Sequence, residues 1–199
     1  MRRRLLRRPG APEATPRALA TRPGSRVELR DLVPSDRDTF LAMVRESREL
    51  HRPWTYPPER ADQFDDLFAR SRRDDFVCLV ASLTTDGSIV GVFTISQIVR
   101  GAFQSAYLGY YAFTPHAHQG LMREGLARVL DVAFTRLELH RLEANIQPAN
   151  KASTRLVRAL GFRHEGRSPR YLKISGHWRD HDRWALLAED WHESPRKDP

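Results

Sequence analysis

Two short stretches of this 199-residue chain carry residue types at spacings that chemistry can use. The first runs from Tyr110 to Glu124: an apolar run ends, a loop holding Gln119 and Gly120 follows, and apolar residues then recur at helical spacing. The first N–H groups of a helix have no partner within it and lie at the positive end of its dipole, so they bind phosphate and other anions. Gly120 lets the backbone come close to such a group. The same order also serves as a plain strand–turn–helix junction. The second stretch is Pro-Ala-Asn-Lys-Ala-Ser at 148–153. Asn150 is a preferred helix cap, and capping alone accounts for it. Ser153 is not needed for a cap. One turn into the helix, it would face the same crevice as the strand before it.

Other residues invite a chemical reading and also have a bland one. A loop at 51–58 brings His51, Trp54 and Tyr56 together among prolines; exposed loop aromatics either form a binding surface or clamp onto the core. The run at 176–181 contains Trp178, Asp180 and two histidines, but no cysteine or carboxylate at ligand spacing, and no metal is expected. Cys78 is the only cysteine. It sits in an apolar run and reads as core rather than nucleophile. An intramolecular disulfide is impossible, and this usage fits a reducing, cytoplasmic compartment.

The elements that must position these groups follow from periodicity. Residues 26–30 alternate as a half-buried strand does. Phe40, Leu41, Met43 and Val44 give a helix ending near Leu50, and Phe64, Leu67 and Phe68 give another. Three strands are expected at 76–81, 89–95 and 106–113, the first two joined by an Asp86-Gly87 turn. From Leu121 a helix places Met122, Leu126, Val129, Leu130, Ala133, Phe134 and Leu137 on one face. A strand at 141–146, a helix at 150–160 capped by Gly161, and two strands within 162–190 joined at Ser175-Gly176 complete the pattern. Strands interleaved with helices indicate an α/β fold with a mixed sheet.

Charge is unevenly spread. Residues 1–24 hold seven arginines against one acid, so six of the eight net positive charges lie in this arm and two on the remainder. An arginine arm can neutralise phosphates, giving a weak RNA or ribosome contact, or it can be a solvated leader. We expect 1–24 and 194–199 to be disordered and 25–193 to form one domain. Leu5-Leu6 is too short for a secretion signal, and no apolar run approaches the length of a membrane span.

Taken together, LGYYAF (108–113), QGLMREGL (119–126), LHRLEANIQPANKAS (139–153), LGFRHEG (160–166), GHWRDHDRWAL (from Gly176) and HRPW (51–54) resemble the GNAT acetyltransferases. Within them the resemblance is to the RimJ/RimL-like ribosomal-protein alanine N-acetyltransferases, nearest the RimJ branch, and it covers roughly 26–191. It implies a central sheet of about six to seven strands, splayed in the middle and flanked by about four helices. It also implies direct transfer from acetyl-CoA to a primary amine in a ternary complex. Backbone groups of Tyr111, Ala112 and Phe113 would pair with the pantetheine arm, and His118, Gln119, Gly120, Leu121, Met122 and Arg123 would hold the pyrophosphate. Asn150 would bond the cofactor or the substrate amide. Ser153 would protonate the departing thiolate, with Tyr171 as the alternative donor. Glu143, His116 or His118 would accept a proton through water. Trp54, Tyr56 and Trp178 or Asp180 would border the acceptor. The chain departs from the family's pyrophosphate loop at Ala117, where a Gln or Arg is usual, and at Met122, where a small residue is usual. The implied acceptor is the N-terminal alanine or serine of a ribosomal protein. Two other readings are a small-molecule amine, or a non-catalytic ribosome or RNA binder using the arm.

Overall fold

Alternation along the strands sorts the apolar side chains onto two faces of one sheet. The computed structural model describes residues 24–193 and one further two-residue strand. In chain order the elements are β1 (Ala18–Leu19), β2 (Val27–Asp31), α1 (Arg37–Glu46), α2 (Arg48–His51), α3 (Ala61–Arg70), β3 (Phe76–Leu83), β4 (Ile89–Val99), β5 (Ser105–Ala112), α4 (Leu121–Asp131), β6 (Arg141–Ile146), α5 (Lys151–Ala159), β7 (Arg163–Ile174), β8 (His177–Leu187) and α6 (Ala188–Glu193). The sheet order is β1-β2-β3-β4-β5-β6-β8-β7, and only β5 and β6 run parallel. The seven longer strands match the expected number.

Each face carries its own core. Leu79, Phe93, Ala106, Leu108 and Leu142 pack beneath α4 and α5, with Leu126, Val129, Leu130 and Val157 above them. On the other face Cys78, Val80, Val92 and Phe113 meet Phe40, Leu41, Val44, Phe64 and Leu67 of α1 and α3. Cys78 is therefore a packing residue, and burial pushes its thiol up to about 12, where it is no nucleophile. The turns expected at Asp86-Gly87, Gly161 and Ser175-Gly176 all contain residues at positive φ.

Three departures have local causes. Ala18–Leu19, expected within the irregular arm, pair with Arg30 and Leu29 on the open edge of β2, where backbone groups would otherwise lack partners. The rest of the arm and 194–199 lie outside the described residues, as do the readings placed on them. Among the described residues two short α-helices stand besides the four expected ones. α2 follows α1 after Ser47, whose Oγ accepts from the Thr114 N–H at 2.9 Å. α6 replaces the expected end of the last strand and is tied back by Trp191 Nε1 donating to Asp131 at 3.0 Å.

The feature that makes a site is where the parallel ladder stops. β5 and β6 pair only at Ser105–Arg141, Ala106–Leu142 and Tyr107–Glu143. Beyond that point β5 stays beside β4 and β6 stays beside β8, and a gap opens between them. No helix among the described residues is long and apolar enough to cross a membrane.

Candidate active site

Where β5 and β6 part, a crevice of about 440 Å³ opens, lined by residues from both faces of the sheet. Strand alternation puts Leu108, Tyr110, Ala112, Ala144 and Ile146 on the α4–α5 face, and Tyr111, Asn145 and Gln147 on the other. The opening therefore runs through the sheet. One mouth faces the start of α4 and the other faces the 51–58 loop and β8.

At the first mouth, Gly120 caps α4 with φ +80°, and His118 two residues earlier has φ +62°. A Cβ at Gly120 would meet only the tip of Arg26, 3.5 Å away, so the chain needs glycine there for its backbone conformation. Arg26, directly before β2, clasps this loop from 93 residues away in sequence. Its Nη2 donates to the Gln119 carbonyl at 3.2 Å, its Nε donates to Glu124 Oε1 at 2.7 Å, and Nη2 also contacts that carboxylate. His118, Gly120, Leu121, Met122 and Arg123 line the crevice, as do His116 and Ala117. Gln119 does not line it, because its side-chain amide turns back to the Pro115 carbonyl at 3.0 Å. Met122, in place of a small residue, is accommodated by a glycine on the facing strand. A Cβ at Gly91 would lie 2.6 Å from Met122 Sδ.

Along β5 the expected backbone assignment shifts by one residue. The Phe113 N–H donates to the Val90 carbonyl at 2.9 Å, and its own carbonyl accepts from His116 N at 3.1 Å. Phe113 is fully buried and has no free backbone group. Because hydrogen-bonding pairs recur every second residue in an antiparallel ladder, Tyr111 also points its N–H and C=O at β4. The residues presenting backbone to the gap are Tyr110 and Ala112. The Ala112 carbonyl is already taken by His51 Nε2 at 2.7 Å, leaving the Ala112 N–H. His51 is buried, and desolvation lowers its pKa, so it stands as the neutral ring donating to that carbonyl.

Asn150 and Ser153 sit on the crevice wall. Asn150 caps α5 through Oδ1, which accepts the Ser153 N–H at 3.1 Å, so the capping reading holds while the amide NH₂ is left over. Ser153 Oγ lies 2.5 Å from the Tyr110 hydroxyl. Burial pushes the Tyr110 phenol up to about 12, so it is protonated at neutral pH and able to donate. Tyr110 was not among the expected site residues. The alternation of LGYYAF already puts it opposite Tyr111, which was the available signal.

Several expected residues are placed elsewhere. Glu143 is not on the crevice wall; Arg141 Nε donates to its carboxylate at 2.8 Å, and Arg141 also holds Glu165. Tyr171 is engaged with Tyr107, whose phenol is pushed up to about 12, first by that hydrogen bond and then by burial. Tyr56 and Trp178 are exposed and line no part of the crevice, and the Arg52 guanidinium stacks over the Tyr56 ring at 5.4 Å. Asp180 accepts the Arg170 N–H at 2.8 Å and braces an irregular point of β7. Trp54 does line the crevice, its carbonyl held by Gln147 Nε2 at 3.2 Å. Among the described residues no group of three or more His, Cys, Asp or Glu side chains is placed to hold a metal ion.

Comparison with known proteins accounts for this arrangement. The acetyltransferase (GNAT) domain family matches residues 26–163. The chain is 31% identical over 178 residues to the probable N-acetyltransferase YjcK of Bacillus subtilis (strain 168), a match covering 84% of this chain and 97% of that protein. It is 42% identical over 103 residues to the ribosomal protein uS5 alanine N-acetyltransferase of Escherichia coli (strain K12), covering 52% of this chain and 53% of that enzyme. The solved structure of Mycobacterium smegmatis RimJ in complex with CoA-disulfide is similar with a TM-score of 0.76 and 31% identity, over 82% of this chain and 83% of that one. The chain belongs to the GNAT acetyltransferases.

Proposed function

For this member of the GNAT acetyltransferases, we propose transfer of an acetyl group from acetyl-CoA to the amine at a protein N-terminus. The observation that carries the reading is the crevice that runs through the sheet between β5 and β6. One mouth has the amide start of α4, suited to phosphates; the other is open to an amine arriving from the opposite face.

The residues fit a CoA thioester. The amides at 120–123 would hold the pyrophosphate, and the Ala112 N–H and Tyr110 backbone would pair with the extended arm. When bound, the thioester supplies an acyl carbon already activated for attack. The chain's own task is then to orient the amine, exclude water and move protons. Ser153, whose hydroxyl lies beside that of Tyr110, would deliver a proton to the leaving sulfur. A peptide α-amine, with an ordinary pKa of about 7.7–8.0, needs little help to lose its proton, whereas a lysine at about 10.4 needs more. That difference, together with the likeness to the uS5 alanine enzyme and RimJ, favours an N-terminal alanine or serine as acceptor.

The test is a panel of acceptors assayed for thiol release from acetyl-CoA. Peptides beginning with Ala or Ser should exceed spermidine and aminoglycosides in kcat/KM by about 100-fold, well within what hydrogen-bonded recognition can discriminate. Transfer to a polyamine alone would assign a small-molecule acceptor instead.

A second prediction concerns the loop. Arg26→Ala removes the clasp on Gln119 and leaves Glu124 without its cation. Steady-state assay should show the KM for acetyl-CoA raised about 10-fold, equivalent to about 1.4 kcal/mol, with kcat within about twofold.

A further inference from the structure

The second mouth of the crevice holds two hydrogen-bond acceptors that nothing in the fold requires. Asn145 Oδ1 is buried and has no partner, although it lines the opening. A buried acceptor left unpaired destabilises a protein, and such a group in a native fold asks for a ligand. His181 lines the same crevice and is only 3% exposed. Its Nδ1 lies 3.0 Å from the Arg179 carbonyl, and because a carbonyl only accepts, Nδ1 carries the proton and Nε2 is the bare acceptor. The hydrogen bond of His181 among the described residues is the one at Nδ1.

Register brings these two groups together. Asn145 stands opposite Arg183 in the β6–β8 ladder, so His181 is its diagonal neighbour on the same face. Diagonal neighbours of this kind are separated by roughly 7–8 Å, enough to admit one nitrogen between two side chains.

We propose that Asn145 and His181 form the amine subsite, with Asn145 Oδ1 accepting one N–H of the incoming ammonium and His181 Nε2 removing a proton from it. This rests on the N-acetyltransferase reading above. In the step, one N–H bond of the ammonium breaks, its proton joins Nε2, and the bonding pair stays on nitrogen as the nucleophilic lone pair. The imidazolium then returns the proton to solvent. The other histidines are less suited. His51 is tied through Nε2 to the Ala112 carbonyl at 2.7 Å, and His116 and His118 belong to the loop at the opposite mouth.

The surroundings keep His181 neutral at working pH. Burial lowers its pKa from the ordinary value, opposed by the Arg179 carbonyl and by Asp180 and Asp182 on its own strand. Asp182 is itself held by Arg167 at 2.7 Å. Arg179 and Arg183 flank His181 on its own face of β8, and the phenol of Tyr171 on β7 has its ring 6.2 Å away. The neighbouring β6 brings the uncharged Asn145 and Gln147. Activity needs the neutral ring, so turnover falls as pH drops through a pKa below the ordinary 6.5.

The experiment uses the full chain, acetyl-CoA and a peptide with an N-terminal alanine. His181→Gln should lower kcat about 100-fold and remove the acidic limb from the pH profile of kcat, with acetyl-CoA affinity by calorimetry unchanged. Asn145→Leu should lower kcat/KM for the peptide about 10-fold while raising Tm by about 2–4 °C, because an unpaired buried acceptor has been removed. A purely structural role would lower both. Wild-type kcat and acidic limb in His181→Gln, or a lower Tm together with lost activity in Asn145→Leu, would overturn the subsite and leave the wild-type activity standing. Failure of the wild-type chain to acetylate any amine would overturn both this subsite and the reading it rests on.

Discussion

Ser153→Ala is expected to lower kcat for acetyl transfer by about 100- to 1000-fold while leaving the affinity for acetyl-CoA within about threefold. Protonating the sulfur as it leaves makes it a better leaving group, and general-acid groups supply effects of about 10²–10⁴. Ser153 Oγ is the hydroxyl on the α5 side of the crevice, and the Tyr110 phenol 2.5 Å away can replenish or orient its proton. The substitution should leave the fold intact. The cap on α5 runs from the Ser153 backbone N–H to Asn150 Oδ1, and alanine keeps that N–H. The split between kcat and cofactor affinity is therefore the diagnostic readout, obtained from steady-state thiol release and calorimetry on the same preparation. Tyr110→Phe should give a smaller loss, because Ser153 keeps its own hydroxyl. Unchanged turnover in Ser153→Ala would move the donor's role to Tyr110 and predict the reverse ranking.

Gly91→Ala is expected to destabilise the chain by about 2 kcal/mol, a fall in Tm of about 4–8 °C. The new Cβ would sit 2.6 Å from the Tyr111 carbonyl oxygen and 2.6 Å from Met122 Sδ, with the Ala112 Cα at 3.2 Å. Met122 is flexible and can swing away. The Tyr111 carbonyl cannot, because it belongs to the β4–β5 ladder whose far edge forms the crevice wall. Relief therefore has to come from shifting β5, and the KM for acetyl-CoA should rise together with the loss of stability. Thermal unfolding of Gly91→Ala alone and combined with Met122→Ala separates the two contacts. Trimming Met122 should recover only part of the lost Tm; complete recovery would show that the sulfur contact, not the ladder, sets the cost. The same pair explains how a methionine fits where the loop usually carries a small residue: the space comes from the strand opposite.

Much of the site was legible because it is local. The glycine-led loop, the start of α4 and the Asn150–Ser153 cap each lie within a few consecutive residues, and the structure places them on one crevice. Glu143 shows the opposite case. Its sequence neighbours include Arg141 two residues away on the same face of β6, and that pairing turns a candidate base into one half of an ion pair. Phe113 shows a third. It follows directly on a strand that lines the crevice, but an antiparallel ladder turns alternate backbone groups toward opposite neighbours, and only its bond to Val90 reveals which way it faces. Tyr171 likewise was a reasonable donor by type and is spent on Tyr107.

The periodicities of two and 3.6 alone determined which side chains go inward, because they follow from strand and helix geometry and need no knowledge of distant partners. They placed the seven longer strands, the four main helices and both cores, and with the motifs they identified an acetyltransferase of this family. Tertiary structure decided which groups meet across the splay. The ladder between β5 and β6 ends at Tyr107–Glu143 and opens a passage. Arg26 reaches Glu124 across 98 residues, and His51 reaches Ala112 across 61. Asn145 and His181 share a face only through the β6–β8 register. A local pattern encodes the face a residue presents; its partner depends on the relative offset of strands far apart in the chain, which no local pattern records.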